Sequence, residues 1–269
     1  LSGVPLLDHR AHKPSAVGAP SLDGNRRLFP GRIRCRHAAI LPLPAALSGG
    51  APRLADVSSP SLARKERLEL CDLLDELGPE APTLCEGWQT RDLAAHLVVR
   101  ESRPDASAGI VIKPLESWTE RVQATAAKRP YDELVERVRN GPPTLSFFAI
   151  PGVDAVANTL EYFVHHEDVR RAQAGWTPRA LSGETRSELW RRLRANTKML
   201  FRNFDVVVVL DPTDVADPGP LPDHPGAVIL RGPVAELIMH GFGREQARDI
   251  EFIGDPEMIE RYRAGSRGV

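Results

Sequence analysis

The sequence predicts an α+β protein: an antiparallel four-helix bundle followed by a small α/β layer, with an unstructured arm in front. Three observations carry this. Between residues 61 and 174, four helical segments follow one another with short connectors marked by Pro and Gly. From residue 205 the pattern turns to short β-branched runs, DVVVVL (205–210), AVILRG (227–232) and DIEFIG (249–254). Residues 1–60 have neither period and hold eight of the 24 prolines. The expected organisation is an arm at 1–58, a bundle at 59–178 and an α+β domain at 179–265.

Ser61 is placed to cap a first helix, LARKERLELCDLLDEL, which stops at Gly78-Pro79. Its apolar stripe is Leu62, Leu70, Leu73, Leu74 and Leu77. After the loop PEAPTLCEGWQ, Thr90 reads as the N-cap of RDLAAHLVVRES, with Asp92 in the first turn favouring the helix dipole. Pro104 closes that helix. Leu115–Ala127 and Tyr131–Asn140 read as a third helix broken at Pro130. Pro142-Pro143 and Pro151-Gly152 bracket a connector, and Val153–Ala174 is a long fourth helix stopped by Gly175. Ser182 caps GETRSELWRRLRANTKMLFRN. Pro233 is the first residue of VAELIMHGFG, and Pro256–Arg263 closes the chain as a short helix.

Charge separates the arm from the body. Residues 1–60 hold eight Lys and Arg against three Asp and no Glu, although the whole chain of 269 residues has a net charge of −1. The chain begins with Leu and has no Met before Met199, so the arm is expected to be translation from a start placed too far upstream, with the native start near Val57. An Arg-rich, acid-poor arm also fits an organellar transit peptide or a functional disordered arm. The acidic body has no basic stripe, which argues against nucleic acid as a partner. The longest strongly apolar run is Val206–Leu210, far short of a membrane span. Cys35, Cys71 and Cys85 form no CxxC pair, which excludes a disulfide scaffold and a thiolate zinc finger and fits a reducing, cytoplasmic setting.

Three residues stand out chemically. His96 lies mid-helix among Leu93, Leu97 and Val98, while Glu161 and His165 are four apart and project from one helix face. Bundles build metal sites from inward His and carboxylate side chains on facing helices. Two His and one Glu hold a zinc-like ion and leave a coordination position open, as catalytic sites do. The spacing alone equally fits a surface Glu161–His165 pair and a core His96 bonded to a backbone carbonyl.

The flanking residues narrow this. TLCEGWQTRDLAAHL (83–97) and NTLEYFVHHEDVRRA (158–172) resemble the mycothiol-dependent maleylpyruvate isomerase family, part of the DinB-like group of metal-binding four-helix bundles. Gly87, Trp88, Thr90, Asp92, Leu93, His96 and Leu97 match its first motif, and Glu161, Val164, His165 and Asp168 its second. Gly232, Glu236, Leu237, Gly243, Arg244, Gly254 and Asp255 match a later GxxxEL…GR…GD signature, so the resemblance spans about residues 61–260. Within the family it is nearest an actinobacterial, metal-binding branch.

The resemblance implies a divalent ion, usually zinc, on His96, Glu161 and His165. It also implies a low-molecular-weight thiol, mycothiol, as cofactor. The expected activity is an isomerase or S-transferase acting on a small electrophile, with a non-catalytic metal- or thiol-binding stress protein as the alternative. Its GR motif puts Arg244 opposite an acidic substrate or the thiol cofactor, as a catalytic and cofactor-binding residue, although a cation complementing a helix C-terminus fits equally. Asn158, one turn before Glu161, is expected to line the cofactor pocket.

Further residues have two readings each. His166 is about 100° around the helix from His165 and should miss the metal, at the surface or behind the ligands. Asp92 and Asp168 either orient an imidazole or serve as a cap or solvated charge. Cys85 is a loop-packing residue or a nucleophile or ligand. Cys71 is expected in the core, and Trp88 stapling its turn to the second helix.

Overall fold

The computed structural model describes residues 60–103, 116–143 and 153–265. The arm at 1–58, the Pro104 helix stop and most of the 142–152 connector lie outside these residues. Five helices come first: α1 Leu62–Leu77, α2 Thr90–Ser102, α3 Glu116–Ala126, α4 Tyr131–Asn140 and α5 Val153–Arg171. Then follow α6 Gly183–Leu200, β1 Val208–Pro212, β2 Val228–Gly232, α7 Val234–Gly241, β3 Glu251–Ile253 and α8 Pro256–Ala264.

The caps explain most boundaries. Ser61 and Ser182 accept from the backbone N–H groups of Arg64 and Thr185 and start α1 and α6 as expected. At α2 the N-cap is Gln89, one residue earlier than expected, because the Asp92 carboxylate accepts from the Gln89 N–H at 3.0 Å. The Thr90 hydroxyl instead donates to the Gly78 carbonyl, tying the start of α2 to the end of α1. The third bundle element is two helices, with Pro130 as the N-cap of α4.

Helix α1 packs against α4 and α5, and α2 against α3 and α4. The bundle core holds Leu70, Cys71 and Leu74 from α1, Leu93, Ala94 and Leu97 from α2, Leu134, Val135 and Val138 from α4, and Tyr162 and Val169 from α5. Burial pushes the Cys71 thiol up to about 12, so it remains a protonated core residue. Beneath this core Arg67 forks onto Glu101, donating at 2.7 Å to each oxygen, and the Tyr162 hydroxyl donates to Glu101 at 2.9 Å.

The second layer is a three-stranded sheet in the order β1-β2-β3. Strands β1 and β2 are parallel, with Val208 opposite Val228, and β2 and β3 are antiparallel, with Ile229 opposite Ile253. Strand β1 begins three residues later than the DVVVVL run. The parallel register starts at Val208, and Val207 is left half exposed at 50%. Gly232 ends β2 where its backbone passes so near the next connection that a Cβ would sit 2.6 Å from the Asp249 carbonyl oxygen.

Helix α5 joins the layers. Its Leu160, Phe163 and Val164 belong to a second core with Leu189 and Leu193 of α6, Leu230 of β2 and Leu237 and Ile238 of α7. Every residue from Asn158 to Val169 is buried. A helix enclosed on all sides cannot turn its polar residues to water. Glu161, His165, His166, Glu167 and Asp168 therefore all require partners inside the protein.

Candidate metal centre

The sequence-selected triad is assembled. His96 from the middle of α2 and Glu161 and His165 from successive turns of α5 are 3%, 3% and 2% exposed. Nε2 of His96 is 3.5 Å and Nε2 of His165 is 3.3 Å from Oε1 of Glu161. Two ligand atoms about 2.1 Å from a zinc-sized ion and spanning a tetrahedral angle stand about 3.4 Å apart. Neither approach to Oε1 has hydrogen-bond geometry. The three atoms lie within 4.8 Å of one another, a spacing that fits a divalent ion.

The far side of each ring supports the same orientation. Nδ1 of His165 is 3.0 Å from Oδ2 of Asp168, and Nδ1 of His96 is 3.3 Å from Oε1 of Gln123 on α3. A carboxylate only accepts, so Nδ1 of His165 carries the proton and Nε2 is aimed at Glu161. The Trp88 ring centroid is 5.1 Å from that of His96. Gly87 precedes it with a φ of 76°, a left-handed turn that suits Gly and lets Trp88 fold back over α2.

The electrostatics follow from burial and neighbours. Burial works to raise the Glu161 carboxyl, but Arg100, then His165 and His96, hold it well below the usual carboxylate range. Nε of Arg100 is 3.3 Å from Oε1. Burial likewise works against an imidazolium at His165, yet Asp168, Cys85 and Glu161 hold its pKa well above the usual histidine value. A metal ion bound at Nε2 would take the place of that proton, since metal ligands must be deprotonated.

Two other clusters have donors in similar proximity: Cys85 with His165 and Asp168, and Glu66 with Glu69 and His166. Each already holds a guanidinium. Arg244 donates from Nε to Oδ1 of Asp168 at 2.8 Å and from Nη2 to Oδ2 at 2.5 Å, and its Nη2 is 3.7 Å from Cys85 Sγ. Arg179 lies 3.0 Å from Glu66 and 3.5 Å from Glu69, with its Nη1 3.2 Å from Nδ1 of His166. The His96–Glu161–His165 triad also has a guanidinium beside it, Arg100 Nε at 3.3 Å from Glu161 Oε1, and differs from the other two in having two imidazole Nε2 atoms that face one carboxylate oxygen.

No family model matches the chain, and no curated protein matches it. Two solved structures are similar to it: a mycothiol-dependent maleylpyruvate isomerase at 17% identity and a histidine-to-alanine mutant of such an isomerase at 16%, both with a TM-score of 0.42. Each comparison covers 72% of this chain and 91% of the other. The likeness is one of distant fold, and it assigns no residue here. No helix among the described residues is long and apolar enough to cross a membrane.

The remaining expected residues fall as follows. Arg244 faces the bundle and is 6% exposed, with its fork on Asp168 and its Nη1 donating to the Phe242 carbonyl at 2.7 Å. Asn158 is fully buried; its amide accepts from Arg100 and donates to Glu101 Oε1 at 3.0 Å, in the network behind Glu161. His166 is not a surface residue: it is buried, with Nδ1 2.9 Å from Glu66. Of the two aspartates with double readings, Asp92 is a cap and Asp168 orients an imidazole. Cys85 is buried with Sγ 3.4 Å from Asp168 Oδ2. Sequence reading missed Arg100 and Gln123. Arg100 was within reach, because it follows His96 by four residues on one helix face. Gln123 lies on another helix, and no local pattern marks it.

Proposed function

We propose that the chain is a divalent-metal-dependent enzyme that uses a low-molecular-weight thiol, mycothiol, in isomerase or S-transfer chemistry on a small electrophile. The observation that carries this reading is the convergence of His96 Nε2, Glu161 Oε1 and His165 Nε2 in a buried cluster whose imidazole Nδ1 atoms already face other partners. His₂Glu leaves a coordination position for a small molecule. The thiol is supported by the resemblance of residues 83–97 and 158–172 to the isomerase family. A zinc-like ion bound there would supply a thiolate at neutral pH by lowering the pKa of a coordinated thiol.

The chain's own residues have separate tasks in this reading. His96, Glu161 and His165 bind. Arg100 keeps Glu161 in its carboxylate form, and Asp168 holds the proton of His165 at Nδ1. Trp88 packs its ring beside that of His96, with the centroids 5.1 Å apart.

Metal analysis of the purified full chain after dialysis is the deciding experiment. One equivalent of zinc is expected, lost in His96→Ala and Glu161→Gln. The zinc form should then bind mycothiol in a calorimetric titration and consume it with a panel of epoxides, halides, quinones and conjugated acids. Variants that retain stoichiometric zinc would overturn the site. Thiol binding without turnover would make the chain a metal- or thiol-binding protein instead.

A further inference from the structure

We infer that Arg244 acts as a positioning residue for His165, so that the C-terminal layer sets the affinity of a metal centre to which it contributes no ligand. This rests on the metal reading above. Arg244 sits on the turn after α7, in the layer built around the sheet, whereas His165 and Asp168 belong to α5. The connection between them is short and buried: Arg244 Nε and Nη2 to the two oxygens of Asp168 at 2.8 and 2.5 Å, then Asp168 Oδ2 to His165 Nδ1 at 3.0 Å. Asp168 is fully buried, and Arg244 is 6% exposed.

The geometry decides what this connection does. Asp168 follows His165 by three residues, so its carboxylate lies over the same turn of α5. One contact to an imidazole leaves a carboxylate free to rotate. A guanidinium fork on both oxygens fixes its plane. Oδ2 then accepts from the imidazole Nδ1–H and from the fork together, and Cys85 Sγ lies 3.4 Å from the same oxygen. With Asp168 fixed, the His165 ring is fixed, and Nε2 is aimed at the point it shares with Glu161 and His96.

The other histidine makes the contrast. The Nδ1 atom of His96 faces the neutral amide of Gln123 at 3.3 Å, a longer contact to an uncharged group. His165 is thus the more strongly supported ligand, and its support comes from the other layer. Binding of the ion and seating of Arg244 on Asp168 are then coupled, and each strengthens the other by the same factor.

Zinc affinity of the full chain, measured by competition with a chromophoric chelator, tests this. The visible absorption of the cobalt(II) form is the second readout. Asp168→Asn and Arg244→Ala are expected to weaken zinc binding by roughly 10- to 100-fold, the usual cost of losing an outer partner of a ligating histidine. Both should also alter the cobalt spectrum, because His165 loses its fixed orientation. Arg244→Lys keeps the charge without the fork and should fall between wild type and Arg244→Ala. Methylguanidinium in the buffer should restore part of the affinity of Arg244→Ala and none of that of Asp168→Asn. If Arg244→Ala does not fold, Arg244→Lys and Asp168→Asn carry the test. Folded Arg244 variants that bind zinc as tightly as wild type would overturn the inference and leave the metal reading intact. A wild-type chain that takes up no zinc would overturn both.

Discussion

Gln123 Oε1 lies 3.3 Å from Nδ1 of His96, and this contact joins α3 to the centre of α2. The amide oxygen accepts from the ring and leaves Nε2 toward Glu161. Gln123→Leu removes the acceptor at similar bulk, and the ring is then free to change tautomer or flip. Zinc affinity should fall by about tenfold, at the low end of the range for outer partners of ligating histidines, because a neutral amide is lost rather than a charge. Chelator competition on the folded variant measures this. An unchanged affinity would mean that the bundle packing alone sets His96.

Binding of zinc should stabilise the fold, because the unfolded chain scatters the three ligands. At free zinc one hundred times the dissociation constant the gain is about 2.7 kcal/mol. Thermal melts with and without zinc should show a clear rise in Tm for wild type and none for Glu161→Gln. The variant keeps nearly the same shape but removes the carboxylate that Arg100 and both histidines face. An equal rise in both proteins would place the zinc elsewhere.

Glu66 supplies the acid-sensitive contact between α1 and the rest. It is 2% exposed, lies 2.9 Å from His166 and 3.0 Å from Arg179, and bonds both. Burial works to raise its pKa, but His166 and then Arg179 hold it below the ordinary value of 4.5. A depressed carboxylate adds stability that is complete above its unfolded pKa and is lost as pH falls through its folded one. Wild type should therefore lose this contribution only below pH 4.5. Glu66→Gln leaves Arg179 with less compensation and should cost about 3 kcal/mol at neutral pH. The stability curves of the two proteins should converge on acidification. A constant gap down to pH 3 would exclude the ion pair as the cause.

The sequence makes the candidate ligands legible and leaves most of their support unreadable. Helical spacing puts Glu161 and His165 on one face, because spacing is local, and the motif resemblance of residues 83–97 and 158–172 is what joins His96 to them. The α-then-β order and the break at Pro130 are visible because they too are local. The partners are not local. Gln123 reaches His96 from α3, Glu66 reaches His166 from α1, and Arg244 reaches Asp168 from the turn after α7. Asp168 itself looked like a possible solvated charge, because periodicity cannot show that α5 is enclosed by two cores. Arg244 is marked by its motif, with a substrate or thiol contact and a helix C-terminal charge as its two readings, and its bond to Asp168 is not visible, since a motif gives a position and not a partner.

Gly243 provides the last test, because it delivers Arg244 to Asp168. Helix α7 ends at Gly241, and Gly243 follows with a φ of 80°, a left-handed conformation that other residues adopt at a cost. The Arg244 N–H donates back to the Met239 carbonyl at 2.9 Å, closing the turn over the helix end. A Cβ at position 243 opposes this geometry by about 1–2 kcal/mol. Gly243→Ala should therefore lower stability by that amount in urea. If the turn relaxes to relieve the strain, Arg244 moves off Asp168, and zinc affinity falls along with stability. Gly78, which ends α1 with a φ of 75° and where an added Cβ would meet nothing within 4 Å, is the control. Gly78→Ala also puts a Cβ on a positive-φ residue, with ψ at −176° where Gly is strongly favoured, but at a turn outside the Arg244–Asp168–His165 connection, and should leave zinc affinity unchanged whatever its cost in stability. Wild-type zinc affinity in a folded but destabilised Gly243→Ala would show that the turn after α7 serves the fold and not the centre.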